Sequence, residues 1–378
     1  MILWQPSLAD VLILADVFER FRDICMDPAT YQLDPAHYVS APQLSWDAML
    51  KCTEVKLQLI SDAEMFRMID AGMRGGVCMI SKRYARANNK HMGDMYDPSQ
   101  PSNYILYLDA NNLYGWAMSQ SLPMDMFAWG DPEVYERGEI DWANLSPDAH
   151  IGYILEVDLE YPQELHHEHN DYPLAPERMD IQVNMLSEKQ LEIQRKYDPR
   201  RQSHSIKLVP SLMSKKKYVL HYLTLVYYLQ HGMKLVKIHR IIRFRQSRWL
   251  QPYIQKNSTL RAQATNEFEK DFFKLMNNAI YGKACENQKN RTDIRLMNND
   301  EKVQKLINKP HCLKYRVFNK QLAAIEMMKV HQKIDKPFYV GFAVLDLSKL
   351  HMYRYAESNR PFNDSQSISL LCENHLCH

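Results

Sequence analysis

The feature that most constrains the fold is a short apolar run that ends in a carboxylate. Residues 104–108 (YILYL) are apolar at every position, which predicts a strand that is buried on both faces. Asp109 follows at once, and the turn ANNLYG leads into the next element. A carboxylate in this place suits Mg²⁺, which prefers oxygen ligands, and the N–H groups of such a turn can bind a triphosphate. The alternative is that Asp109 only caps the next element.

A second segment, residues 266–287, predicts a helix with two different faces. At about 100° per residue, four apolar side chains share one stripe, which predicts the packed face: Phe268, Phe272, Leu275 and Ala279. Four polar side chains share another stripe: Lys270, Lys274, Asn278 and Tyr281. Two ammonium groups one turn apart suit phosphate oxygens. The alternative is the solvated face of an ordinary amphipathic helix.

The periodicity of the remaining chain predicts both helices and strands, and therefore an α+β fold. The predicted segments are helices at 8–26, 215–233 and 342–356, and strands at 151–159 and 337–341.

Charge is divided unevenly along a chain whose net charge is only +2. Residues 189–256 hold 16 Lys or Arg and two acids, with many aromatic residues among them. That combination predicts a groove for a polyanion with stackable bases, or alternatively a solvated helical face. Residues 131–180 hold 14 acids and two Arg. This acidic segment would repel nucleic acid, mimic it, or simply form surface.

The sequence argues against a membrane protein and against a secreted one. No apolar run approaches the roughly 20 residues that cross a bilayer, and the N-terminus lacks the features of a signal peptide. The seven cysteines are scattered and form no Cys-x-x-Cys, which favours a reducing compartment. The tail CENHLCH and the histidines of ELHHEHN (His166, His167, His169) are weaker alternatives for a metal site. We expect a soluble intracellular protein with no membrane partner.

The first two segments, taken together, resemble a known pair of motifs. LDANNLYG (108–115) is followed about 160 residues later by KLMNNAIYG (274–282), and the pair resembles motifs A and B of family B DNA polymerases. Runs such as KLVPSLMSKKKYVLHY (207–222) and YVGFAVLDLSKLHMY (339–353) resemble the protein-primed polymerases of Polinton (Maverick) transposons and related viruses and plasmids. The resemblance covers residues from about 8 to about 355.

The resemblance implies a role for each residue of the first motif. Asp109 would bind the catalytic metals, with the Ala110 carbonyl beside it. Asn112 and Leu113 would hold the triphosphate of the incoming nucleotide through their backbone N–H groups. Tyr114 would pack under the sugar and reject ribose. The chemistry implied is two-metal phosphoryl transfer with Mg²⁺.

In the second motif, the resemblance implies that Lys274 contacts the phosphates of the dNTP. Asn278 and Tyr281 would line the nucleotide and the nascent base pair. Lys270, one turn earlier, is our addition as a second phosphate contact.

A glycine pair resembles a further feature of the family. Gly75 and Gly76 in MRGGV are similar to the Gly-Gly loop between exonuclease and polymerase domains, where the template strand is held. We expect the basic residues Lys82 and Arg83, which follow, to contact DNA as well.

The implied fold is a partial right-hand polymerase, with palm and fingers and a remnant of the exonuclease domain. Its expected parts are the exonuclease remnant with a linker (1–95), the palm with motif A (96–130), the terminal-protein-region insertion (131–205), the fingers with motif B (206–288) and the palm continuation (289–378).

Motif C, an Asp-Thr-Asp hairpin in the family, is missing from the sequence. We therefore expect a chain truncated before motif C, because Asp109 alone cannot hold two Mg²⁺ ions and a replacement by Glu357 or Asp364 would be a coincidence. The first two exonuclease motifs are missing too, so we expect no proofreading.

The function expected by lineage is DNA-directed DNA synthesis, protein-primed, on the DNA of a mobile element. The expected partners are template and primer DNA, dNTP and a terminal (priming) protein, for which the acidic segment is a candidate contact. We expect the chain to be inactive alone. The alternative is a non-catalytic fragment or decoy that binds DNA and nucleotide. Copying a eukaryotic genomic element would place the protein in the nucleus.

Overall fold

The computed structural model describes residues 8–77, 84–136, 140–197, 205–287, 292–329, 334–358 and 367–370. Its strands are β1 (Ile105–Leu108), β2 (Leu122–Gly130), β3 (Ile151–Glu160), β4 (Glu177–Ile181), β5 (Ser205–Val209), β6 (Lys215–His221), β7 (Lys234–Ser247), β8 (Asp293–Met297), β9 (Cys312–Asn319), β10 (Leu322–Met327) and β11 (Ser367–Leu370). Its α-helices are α1 (Leu8–Met26), α2 (Ala41–Thr53), α3 (Ala63–Gly72), α4 (Leu113–Met118), α5 (Pro132–Glu136), α6 (Glu188–Tyr197), α7 (Tyr222–Gln230), α8 (Gln251–Gln263), α9 (Glu267–Ala284), α10 (Asp300–Ile307) and α11 (Phe338–Ser358).

The centre of the fold is an antiparallel sheet in the order β2-β7-β3-β6. The strand predicted at 151–159 is its inner strand β3, which pairs with β7 on one side and β6 on the other. Leu155 and Val157 of β3 are fully buried. Helix α11 covers the sheet and also packs against α3, α4, α7 and α9. Because of this packing it is buried almost all round over its first three turns. This mixture of helix and antiparallel sheet confirms the α+β prediction.

The predicted strand at 104–108 is β1, which pairs in parallel with β11 in a separate two-stranded sheet. The prediction of burial on both faces fails at Ile105, whose side chain is 46% exposed.

The helix predicted at 266–287 is confirmed as α9, which forms an antiparallel hairpin with α8. Asn266 caps α9 by accepting a hydrogen bond from the N–H of Glu269 at 2.9 Å. The hairpin packs against α2. The predicted packed stripe is only half right, because Phe268 and Leu275 are 53% and 45% exposed. The buried face is rotated and contains Phe272, Phe273, Met276, Ile280 and Ala284.

The helix predicted at 215–233 is right only in its second part, which forms α7 (Tyr222–Gln230), and the strand predicted at 337–341 is wrong. Residues 215–221, expected as the start of a helix, form strand β6, because they pair with β3 and bury the Lys215 ammonium on Glu177 at 2.6 Å. The short strand expected at 337–341 is instead the first turn of α11 from Phe338 onward, where Tyr339 and Val340 are buried in the core. The helices predicted at 8–26 and 342–356 are present.

The acidic and basic segments of the sequence face one another within the sheet. Strand β3 carries acids opposite the basic strand β7. Arg240 donates two hydrogen bonds to Glu156, at 2.8 and 2.9 Å, and Lys234 lies 3.3 Å from Glu160. Arg248 also pairs with Asp148 at 2.8 Å. Part of the charge asymmetry is therefore compensated by pairs between the two segments, so it supports a polyanion groove or a partner surface less strongly than the sequence implied.

Two smaller units extend from this body. Strands β4 and β5 form an antiparallel pair that is linked through α6 and residues outside the described ranges. Strands β8, β10 and β9 form a three-stranded sheet on which α10 packs around Leu306, Ile325 and Met327. In the described part of the chain, no helix is both long and apolar enough to cross a membrane.

Candidate functional site

The turn after β1 has a geometry that only certain residues allow. Asn112 adopts a left-handed conformation (φ 54°, ψ 40°) and stands at the N-cap of α4 without capping it through its side chain. Gly115 lies beneath it, and a Cβ at that position would collide with the Asn112 side-chain amide and displace it. The N-cap position belongs to Asn112 and not to Asp109, so the alternative that Asp109 only caps the next helix is not supported. The Asp109 carboxylate is exposed to solvent.

The structure brings this turn against the polar face of α9. A cavity of about 470 Å³ is lined by Asp109, Ala110, Asn111, Asn112, Leu113, Tyr114, Arg261, Lys274, Asn278 and Met352. The two segments that the sequence singled out, more than 150 residues apart, therefore share one site. No described carboxylate lies within ion-pair distance of Lys274, which leaves its ammonium available to an anion.

Tyr114 and Tyr281 lie together beside this cavity. Their rings stack with centroids 4.7 Å apart and planes inclined by 14°. Because one ring follows β1 and the other belongs to α9, the stack ties the turn to the helix. Tyr114 lines the cavity, whereas Tyr281 lines neither cavity and contacts the site through this stack.

Lys270 lines a second cavity of about 300 Å³, next to the first. This cavity shares Asn112, Arg261 and Lys274 with its larger neighbour. Lys270 also forms an ion pair with Glu267 at 2.8 Å. Lys270 thus lines the neighbouring cavity and not the one that Asp109 lines. Glu267 compensates part of its charge.

Sequence reasoning missed Arg261, which lines both cavities from the last turn of α8. Arg261 matches no motif. The only available signal was its place a few residues before the predicted helix at 266–287, and the structure brings it beside Lys270 and Lys274. Its planar guanidinium suits phosphate oxygens.

The glycine pair lies elsewhere. Gly75 and Gly76 line neither cavity. The backbone around them is held by two arginines: Arg74 donates to the Val219 carbonyl at 2.8 Å, and Arg178 donates to the Met73 carbonyl at 2.9 Å. The predicted DNA contacts Lys82 and Arg83 lie outside the described residues.

The donor set at the site fits one hard cation. Asp109 supplies the single carboxylate among the residues that line either cavity, and the Ala110 carbonyl is beside it. Mg²⁺ accepts such a set when phosphate and water supply its remaining ligands, whereas two ions need more carboxylates. Glu357 does not supply one, because its carboxylate contacts His231 at 3.3 Å and Tyr227 at 3.4 Å. Asp364 lies outside the described residues.

The histidine-rich segment does not form a metal site in the described part of the chain. No group of three or more His, Cys, Asp or Glu there is arranged to hold a metal. His169 is buried and shares a hydrogen bond of 2.8 Å with the Tyr161 hydroxyl. The tail that carries Cys372 and Cys377 is outside the described residues.

Comparisons with known proteins identify the family and the fold of the chain. The model of the family described as DNA polymerase type B, organellar and viral, matches residues 8–360. Two solved structures of phi29 DNA polymerase resemble the chain, and the first of them shares its fold. The orthorhombic crystal form has 11% identity and a TM-score of 0.50, over 95% of this chain and 52% of that chain. The complex with primer-template DNA and incoming nucleotides has 12% identity and a TM-score of 0.49, over 95% and 52%. The chain thus spans about half the length of these relatives. No curated protein matches the sequence.

Proposed function

The chain belongs to the organellar and viral type B DNA polymerases, and we propose that the cavity between the Asp109 turn and the α8–α9 hairpin binds an incoming deoxynucleoside triphosphate. The observation that carries this proposal is the convergence of Asp109, Arg261 and Lys274 on one cavity of about 470 Å³. A carboxylate for a metal and two cations for phosphates are what a metal–triphosphate needs.

Each wall of the cavity would act on a different part of the nucleotide. Lys274 and Arg261 face the phosphates and neutralise their charge. The N–H groups of Asn112 and Leu113 would donate to the triphosphate oxygens, since a left-handed residue followed by a helix start directs neighbouring N–H groups outward. Tyr114, fixed by its stack on Tyr281, would exclude a 2′-hydroxyl from the space beside the sugar.

The metal partner we propose is Mg²⁺, held by the Asp109 carboxylate and the Ala110 carbonyl. When bound, Mg²⁺ would supply charge neutralisation on the phosphates. The full reaction, transfer of a nucleotidyl group from dNTP to a primer hydroxyl, needs a second carboxylate site. The described residues provide only Asp109 at the cavity. We therefore propose that this chain on its own binds dNTP and DNA without extending a primer, which keeps the non-catalytic fragment or decoy as the second candidate function.

The sequence resemblance supports a more specific function. We propose a protein-primed polymerase of a Polinton-type mobile element that acts in the nucleus with a terminal protein. Its parts would be an exonuclease remnant (1–95), palm (96–130), terminal-protein-region insertion (131–205), fingers (206–288) and palm continuation (289–378). Gly75, Gly76, Lys82 and Arg83 would contact template DNA, and Lys270 and Asn278 would assist the dNTP.

The test is an assay of primer–template binding and extension by the purified 378-residue chain. We expect no extension with Mg²⁺, and we expect the next complementary dNTP to tighten DNA binding. Lys274→Ala should abolish that tightening. Lys283→Ala is the matched control, because Lys283 lies on the same helix but pairs with Glu286 at 2.8 Å. Primer extension that disappears in Asp109→Asn would refute the proposal that the chain is inactive alone. DNA binding that does not respond to dNTP would refute the proposed nucleotide site.

A further inference from the structure

A buried chain of hydrogen bonds leads from the N-terminal part of the protein to the nucleotide face of α9. The Tyr31 hydroxyl donates to Asn257 Oδ1 at 2.6 Å, and Asn257 Nδ2 donates to Asn277 Oδ1 at 2.8 Å. The three side chains are 4%, 0% and 5% exposed. They connect a loop, α8 and α9, and the chain ends one residue before Asn278.

A second set of buried hydrogen bonds holds the preceding residue of α9, Met276. Ser45 Oγ of α2 donates to the Met276 carbonyl at 2.6 Å. The Tyr253 hydroxyl lies 3.1 Å from Ser45 Oγ and 3.3 Å from the same carbonyl. Ser45 and Tyr253 are both fully buried. Two successive residues of α9 are thus held by polar side chains from outside the helix.

We propose that Tyr31 and Ser45 are positioning residues for the nucleotide site. By fixing Met276 and Asn277, they set the rotation of α9 about its axis, so that Lys274 and Asn278 point into the cavity. Hydrophobic packing alone permits a helix to rotate slightly in its groove, whereas buried hydrogen bonds fix one arrangement because an unpaired buried group is costly. The link to nucleotide affinity rests on the proposed function, but the positioning of α9 does not.

The position of the second cavity supports this assignment. Asn277 lines that cavity together with Lys270 and Lys274, although its amide is buried and bonded to Asn257. The Asn277 amide nitrogen also lies 3.5 Å from the Ile254 carbonyl of α8. A change at Tyr31, which lines neither cavity, therefore has a continuous route of three side chains to the cavity wall.

The test compares Tyr31→Phe and Ser45→Ala with Tyr218→Phe in the full chain. Tyr218 is a matched control, since it is 4% exposed and its hydroxyl donates to the Pro176 carbonyl at 3.0 Å, away from α9. Hydrogen–deuterium exchange is measured for α9 and, as an internal reference, for β3 and β7. We expect exchange in the second half of α9 to rise at least about fivefold in either brace variant, with β3 and β7 unchanged. Tyr218→Phe should leave α9 at the wild-type rate.

The same variants are then titrated with Mg²⁺–dATP. We expect the Kd to rise about five- to tenfold for Tyr31→Phe and to stay unchanged for Tyr218→Phe. Wild-type exchange of α9 in both Tyr31→Phe and Ser45→Ala would overturn the positioning role, whatever the nucleotide result. A wild-type chain that does not bind dATP would overturn only the proposed function. Hydrogen–deuterium exchange would still show whether Tyr31 and Ser45 hold α9 in place.

Discussion

We propose that the Tyr114 side chain determines which sugar the cavity accepts. Its ring is fixed against Tyr281 at 4.7 Å, so it cannot swing aside without breaking the stack. We expect Tyr114→Ala to bind ATP at least about tenfold more tightly than the wild-type chain does, because the space for a 2′-hydroxyl opens. Affinity for dATP should change less, and Tyr114→Phe should keep the wild-type preference. Competition titrations of dATP against ATP measure both. An unchanged preference in Tyr114→Ala would remove Tyr114 from the sugar contact.

The buried imidazole ring of His221 makes the unfolding free energy depend on pH. It is fully buried at the junction of β6 and α7, and burial lowers its pKa from 6.5 to about 4 although Asp346 acts in the opposite direction. The folded state therefore keeps the ring neutral, while the unfolded chain takes up a proton below pH 6.5. The stability contribution is complete above pH 6.5 and is lost as the pH falls towards 4.

His221→Gln removes this proton uptake. Between pH 7 and pH 5 we expect the wild-type chain to lose about 2 kcal/mol more unfolding free energy than His221→Gln does. Urea unfolding at a series of pH values measures the difference. Parallel pH curves for the two proteins would contradict the assignment.

Among the elements, β3 and β7 are held together by charge as well as by their backbone ladder. Glu156 is only 8% exposed, so Arg240→Ala would leave a buried carboxylate without its guanidinium partner. We expect a loss of about 2–3 kcal/mol in unfolding free energy. Arg245→Ala is the matched change on the same strand, at a pair with Asp125 where the Arg245 side chain is 51% exposed, and should cost less than about 1 kcal/mol. Equal losses in urea unfolding would mean that burial does not distinguish the two pairs.

The elements also divide into those that the sequence predicts and those that it does not. Helices α1 and α9 and strand β3 follow from periodicity, because their apolar spacing is a local property. Strand β6 does not, since its Lys-rich start becomes strand only through pairing with β3 and through the burial of Lys215 on Glu177. Such partners lie far away in sequence and leave no periodic signal.

For the molecule as a whole, the two sequence motifs identified most of the residues that line the cavity. The remaining site residues became apparent only from the fold. Asp109 and Lys274 were identified from two short patterns, and the structure places them in one cavity. Arg261 and the Tyr31–Asn257–Asn277 chain were not identified, because neither belongs to a motif and both depend on how α2, α8 and α9 pack together. Part of the charge asymmetry, which implied a partner, is instead paired between the acidic and basic segments within the fold.

We propose that the turn after β1 and the helix α9 form one site for a metal-bound nucleotide. The most direct test is to titrate dATP into the wild-type chain, Asp109→Asn and Lys274→Ala, each with Mg²⁺ and with EDTA. We predict that Lys274→Ala weakens binding about tenfold in both conditions, because the lysine contacts phosphate directly. Asp109→Asn should weaken binding only with Mg²⁺, because its carboxylate acts through the metal. Binding by both variants that equals wild type in Mg²⁺ would contradict the account.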